Sequence, residues 1–220
     1  MTEYLTTPEG RRIAYNRLAG AGPGVVFLHG LNSDMEGTKA RAREDWARAQ
    51  GCAFLRFDCS GHGLSSGRFE EGCSGDWFAD ASAAIMALPE GPQVVIGSSM
   101  GGWLALLVAR ALPERLAGLV TIAAAPDFTE DGFWAGFDAA QKAELESRGF
   151  VELPSDYGAP YHVSRRLIED GRDHLVLRAP LRLPFPVRLL QGSADTAVHP
   201  DRAVTLFHHL EGPDIRLTLV

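Results

Sequence analysis

The chain has 220 residues, 45% hydrophobic and 22% charged, a composition that suits one globular α/β domain with a sizeable core. A net charge of −7, from 28 acidic and 21 basic residues, argues against nucleic acid or an anionic membrane as a partner held by charge. Its three cysteines lack the C-x-x-C spacing of a metal site and read as reduced thiols; with no signal pattern and no apolar run near about 18 residues, a membrane span is excluded and a cytoplasmic location is expected.

In chain order, Tyr4 to Thr7 and Arg12 to Leu18 flank Pro8-Glu9-Gly10 and predict an antiparallel hairpin at a sheet edge. Gly20 to Gly24 reads as a turn. Val25 to Leu28 is an uninterrupted apolar run ending in His29-Gly30-Leu31-Asn32-Ser33, as expected of a parallel strand buried on both faces. A helix over Glu36–Gln50, a strand over Ala53–Phe57 and a helix around Asp76–Leu88 come next. A β-branched strand, Gln93 to Ile96, then leads to an Ala/Leu-rich helix, Trp103 to Leu112, and an apolar strand, Gly118 to Ala124. This alternation predicts the α/β class: a doubly wound, mostly parallel sheet with the hairpin attached.

The rhythm breaks at Pro126. From Asp127 to about Pro186 the chain is aromatic and Pro-punctuated, with helical patches at Gln141–Arg148 and Tyr161–Asp170. It reads as a small helical cap, about 127–186, inserted into a single domain over 1–220. The sheet resumes with Val187–Gly192, a helix over Asp201–His209 and a last strand, Ile215 to Val220. An apolar edge strand with no covering helix is an aggregation liability, so the natural chain is expected to continue past Val220.

Gly97-Ser98-Ser99-Met100-Gly101 lies between a strand and a helix. A G-x-S-x-G turn there holds its central side chain in a strained conformation, with neighbours two away kept small, and lifts the Ser99 hydroxyl out of the sheet. The Met100 N–H, at the start of a helix, can then stabilise an oxyanion. The alternative is a Gly/Ser-rich connection without chemistry.

Four motifs line up in order, each after a strand: His29-Gly30; Asp58…Gly61-x-Gly63-x-Ser65; Gly97-x-Ser99-x-Gly101; and Gly192-Ser193-Ala194-Asp195. In this order the chain resembles the α/β-hydrolase superfamily over nearly its whole length. Asn32 to Lys39, Arg56 to Gly61, Gly97 to Trp103 and Arg188 to Gly192 look like the mitochondrial acyl-protein thioesterase and acyl-glucuronide esterase group and its bacterial relatives. The resemblance implies a serine hydrolase of carboxylic esters or thioesters, with Ser99 as nucleophile and Asp195 as the triad acid. The N–H groups of Leu31 and Met100 would form the oxyanion hole. No metal or organic cofactor is implied, and the partner is a small-molecule or acyl-protein ester or thioester.

The triad order in this fold is Ser…Asp…His, with the base after the last core strand. None of the seven histidines stands there, so the base is expected just after Val220. His29 is expected to bond to backbone near the oxyanion loop and His62 to be solvated. His199 lies too close to Asp195 in sequence, and His208 and His209 sit near a helix end. An acyl- or ester-binding protein without turnover is the alternative. The aromatics Phe128, Phe133, Trp134, Phe137, Tyr157 and Tyr161 suit either an apolar acyl group or the cap's own core.

Overall fold

A computed structural model describes residues 1–154 and 160–220. The hairpin forms where Pro8-Glu9-Gly10 separates two β-prone runs, as β1 (Glu3–Thr6) paired antiparallel with β2 (Arg12–Leu18). The apolar runs become β3 (Ala21–Leu28), β4 (Cys52–Phe57), β5 (Gln93–Ser98) and β6 (Leu116–Ile122). The expected turn at Gly20–Gly24 is instead the irregular start of β3, whose register against β4 shifts between Ala21 and Val25.

With β10 (Val187–Gln191) and β12 (Ile215–Leu219) these strands form one sheet of eight, in the order β1-β2-β4-β3-β5-β6-β10-β12. All pairs from β4 to β12 are parallel, and β2 joins β4 antiparallel. The two faces are covered by different helices. On one, Ala40 and Ala47 of α1 (Thr38–Gln50) close over Val25, Phe27 and Phe54. On the other lie α2 (Ser74–Ala87) and α3 (Met100–Ala111). Residues Met100 to Ala109 of α3 are all buried, the mark of a helix enclosed by other elements.

Between β6 and β10 no described residue joins the main sheet. A π-helical turn, Phe128–Trp134, precedes α4 (Ala139–Arg148), which Asp138 and Gln141 start with a reciprocal capping box. Next come an antiparallel pair, β7 (Phe150–Leu153) with β8 (Tyr161–Ser164), and α5 (Arg165–Asp173). The helical reading of Tyr161–Asp170 is thus half corrected. Tyr161 to Ser164 pair with β7, and the helix starts only once the Ser164 hydroxyl accepts the Leu167 N–H at 3.0 Å. A two-residue strand, β9 (Leu181–Arg182), pairs with β11 (Leu210–Glu211), which comes directly after α6 (Pro200–His209).

This inserted segment is bolted to the sheet's helices. The Asp170 carboxylate accepts the Gly75 N–H at the start of α2 (2.7 Å), and Arg166 pairs with Asp76 at 2.8 Å. Asp127 is fully buried and accepts the N–H groups of Val176 (2.8 Å) and Leu177 (2.9 Å), closing the insertion at its base.

Candidate active site

The sheet register collects the motif residues at one edge. Gly97 of β5 lies opposite Leu28 of β3, Ser98 opposite Ile122 of β6, and Gln191 of β10 opposite Leu219 of β12. The loops leaving these strands therefore emerge together at the carboxyl end of a parallel sheet, where ligands of such folds bind.

Ser99 has φ 54° and ψ −119°, outside the regions open to an ordinary L-residue. The surroundings hold it there. Its N–H donates to Ile122 C=O (3.0 Å), and its own C=O accepts from Gly102 (2.9 Å) and Ala125 (3.1 Å) N–H groups. Such over-determination is what lets a strained residue persist. A Cβ on Gly97 would collide with the Gly101 carbonyl, and one on Gly101 with the Leu28 and His29 carbonyls. The two glycines let β5, α3 and the end of β3 approach this closely. Ser98 is buried, whereas Ser99 is half-exposed.

The loop after β3 abuts this turn, since a Cβ at Gly30 would stand 3.4 Å from the Ser99 Cβ and 3.9 Å from its Oγ. Leu31 is the next residue, in a turn closed by Ser33 N–H to Gly30 C=O (3.3 Å), with Asn32 at φ 52°. Among the described residues no acceptor takes the N–H of Leu31 or of Met100. Donors without a protein acceptor are what an oxyanion hole requires.

Asp195 stands half-exposed in the loop after β10. Its Oδ1 accepts both the Ala197 and Val198 N–H groups at 2.9 Å, and Oδ2 has no protein partner among the described residues. Gln191, buried at the end of β10, ties the loop shut by donating to Val198 C=O at 2.9 Å. Val220 is joined to the same place: its N–H donates to Gln191 C=O (2.9 Å) and its C=O accepts the Ser193 N–H (2.6 Å).

Among the described residues, none of the seven histidines hydrogen-bonds to Ser99 or Asp195. His29 is structural, as expected: Nδ1–H donates to Gly30 C=O (2.8 Å) and Nε2 accepts the Cys59 N–H (3.1 Å), leaving it no free lone pair. His62 is not solvated but 4% exposed, enclosed by the rings of His29, Phe69 and Trp77. Burial pushes it down to about 3 and lowers His29 too, so both rings are neutral at pH 7. The reason for the correction is local. The His62 turn folds inward to bury the ring beside Trp77 instead of standing out as a Gly-rich tip. His162 stacks on Phe150, His174 sits 3.7 Å from Asp170, and His209 bonds to Ala179 C=O. His199 caps α6 through Nδ1, which accepts the Asp201 N–H at 3.3 Å.

The aromatics that follow β6 run outward from α3. Trp103, fully buried in its first turn, meets Phe128 edge-to-face at 5.4 Å, and Phe128 meets Phe133 likewise at 5.4 Å. Trp134 packs on Phe137, and Tyr157 lies outside the described residues. Burial raises the Cys59 thiol well above its usual range and Cys73 to about 12, which leaves both protonated and inert. The buried carboxylate of Asp58 bears on the site from the end of β4; the motif order marks its position but assigns it no role. Its place at a strand end, ahead of a Gly-rich turn, is the local signal of it.

Residues 23–153 match the family model Hydrolase_4, described as serine aminopeptidase, S33. The palmitoyl-protein thioesterase ABHD10, mitochondrial, of Rattus norvegicus is 37% identical over 218 residues, 98% of this chain and 73% of the relative. The structure of α/β-hydrolase domain-containing protein 10 from mouse superposes with a TM-score of 0.91 at 35% identity, covering all of this chain and 88% of that one. The structure of an Agrobacterium vitis S4 protein gives 0.96 at 37% identity, covering all of this chain and 89% of that one. The rat, cattle and mouse relatives are all named as mitochondrial, which overturns the cytoplasmic expectation. Reduced, buried thiols are compatible with any reducing compartment, so they had no power to choose between them.

Proposed function

Because the chain belongs to the Hydrolase_4 family and has the α/β-hydrolase fold, we propose that it is a serine hydrolase cleaving carboxylic ester or thioester bonds through an acyl-enzyme on Ser99. The observation that carries this reading is the strained, half-exposed Ser99 at the turn between β5 and α3, with the loop after β3 packed against it. The similarity to named palmitoyl-protein thioesterases supports a thioester or ester of an apolar acyl group, with Phe128 and Phe133 in the cap, about 127–186, as part of its wall.

In this reading the Ser99 Oγ attacks the acyl carbon, and the negative charge that develops on the carbonyl oxygen is met by the Leu31 and Met100 N–H groups. A base takes the hydroxyl proton and returns it to the leaving alcohol or thiol as the C–O or C–S bond breaks; water then repeats the cycle on the acyl-enzyme. The base is an imidazole held by Asp195. Support comes from geometry: among the described residues the Asp195 Oδ2 is open to accept an imidazole N–H.

The test uses the full-length protein, a fluorophosphonate probe and p-nitrophenyl acyl esters. Ser99 is expected to be the only serine labelled. Ser99→Ala should lose on the order of 10⁶-fold in kcat, and Asp195→Asn on the order of 10⁴-fold, by analogy with serine-protease triads. His199→Ala should change neither rate. A label on Ser98, or activity of Asp195→Asn within a few-fold of the parent, overturns the assignments. Tight binding of a non-hydrolysable acyl analogue with no turnover and no label would favour a binding protein.

A further inference from the structure

The loop that bears Leu31 makes few bonds of its own between Gly30 and Met35, yet an oxyanion donor is useful only if held to within a fraction of an ångström. Its restraints come from the end of β4. The Cys59 N–H donates to His29 Nε2 at 3.1 Å, and the same ring's Nδ1 grips the Gly30 C=O. Four residues past Leu31, both peptide groups of Met35 are taken: its N–H donates to Asp58 Oδ1 (2.6 Å), and its C=O accepts from the Arg56 guanidinium (2.8 Å). The Met35 side chain is itself buried, so Leu31 to Asp34 form a short span between two fixed ends.

The chemistry of these partners suits that task. Asp58 Oδ2 accepts the Leu64 N–H at 2.8 Å, so one carboxylate ties the loop after β3 to the loop after β4. Two N–H donors from separate loops call for an acceptor with two oxygens, which asparagine lacks. Gly63 is the price of the arrangement: at φ 48°, a Cβ there would run into this carboxylate. Arg56 is 8% exposed and is held in turn by Glu44 and Glu36, both at 2.5 Å. Burying these charges is costly, and fold stability alone could be met by apolar packing at the same positions.

We propose that Asp58 and Arg56 are positioning residues that clamp the loop after β3 so that the Leu31 N–H faces the oxygen of the carbonyl whose carbon Ser99 attacks; this rests on the serine-hydrolase reading. Asp80 is the natural control. Equally buried, it accepts the Ser60 N–H (2.8 Å) and pairs with Arg11 (2.6 Å), and among the described residues it makes no hydrogen bond to 29–35.

The experiment compares Asp58→Asn, Arg56→Gln and Asp80→Asn with the parent, each as the full-length protein. It measures the fluorophosphonate labelling rate at Ser99, kcat and KM for a p-nitrophenyl ester, and hydrogen exchange of the peptide spanning 29–36. Since deleting a whole oxyanion donor costs about 10²–10³-fold in kcat, loosening one should lower kcat and labelling about 10–100-fold. KM should stay within about threefold, because ground-state binding does not use that donor. Exchange in 29–36 should quicken in Asp58→Asn and Arg56→Gln and not in Asp80→Asn. A parent that takes no label overturns the serine-hydrolase reading and this proposal with it. A labelled parent whose Asp58 and Arg56 variants react as fast, or whose Asp80 variant loses as much, overturns the proposal alone.

Discussion

At Ser99 the backbone stores strain that its neighbours maintain, and disturbing any one of them has a definite cost. Gly101 stands where any Cβ would meet the Leu28 and His29 carbonyls, so β3 and α3 would have to separate. Gly101→Ala is expected to cost roughly 2–4 kcal/mol, as an overpacking change at a backbone-to-backbone contact. It should also abolish labelling of Ser99. Urea unfolding and probe labelling of the same sample check both, and a variant that labels normally would show that the turn tolerates a wider approach.

The elements act on the site through their ends. The inserted segment leaves β6 through Asp127 and returns past Val176, and the buried Asp127 carboxylate joins those two ends, with Arg178 adding a partner at 3.3 Å. Burial raises this carboxyl above its usual range, the opposing backbone N–H groups and Arg178 only partly offsetting it. Asp127→Ala strands buried donors and should destabilise the protein by roughly 2–4 kcal/mol. The insertion should loosen before the sheet does, because its remaining ties to α2, such as Arg166 with Asp76, are partly exposed and worth little singly. Limited proteolysis would then cut first between residues 128 and 176; first cuts in β5 or β6 would contradict this.

For the whole molecule, the buried histidines set a direction of pH dependence. His62 titrates at about 3 in the folded protein against 6.5 when free. Between those values the unfolded chain binds a proton that the folded one refuses, so stability is lost as pH falls through that window. The full shift corresponds to a few kcal/mol, on the order of 1.4 per unit. Asp58 and Asp127, both raised by burial, act in the opposite sense, since the folded form takes up their protons first. The contribution of His62 is therefore read as a difference. His62→Gln keeps a donor for the Ser60 carbonyl, cannot titrate, and should show a visibly shallower fall in urea midpoint between pH 7 and pH 4. Parallel curves for the two proteins would refute it.

The sequence by itself determined the alternation of strands and helices, the hairpin at the edge and the Ser99 turn. Each of these is written in local signals: apolar runs such as Val25 to Leu28, turn residues such as Pro8-Glu9-Gly10, and glycines two residues either side of a serine. Tertiary structure alone decided which residues those glycines must admit, that His62 turns inward against Trp77, and that β8 takes the first four residues of an apparent helix. It also decided that Asp58, 23 residues from Met35, anchors the loop after β3. The reason is physical. Local propensity depends on neighbours in the chain, whereas burial, shared acceptors and backbone collisions depend on segments that only the sheet register brings together.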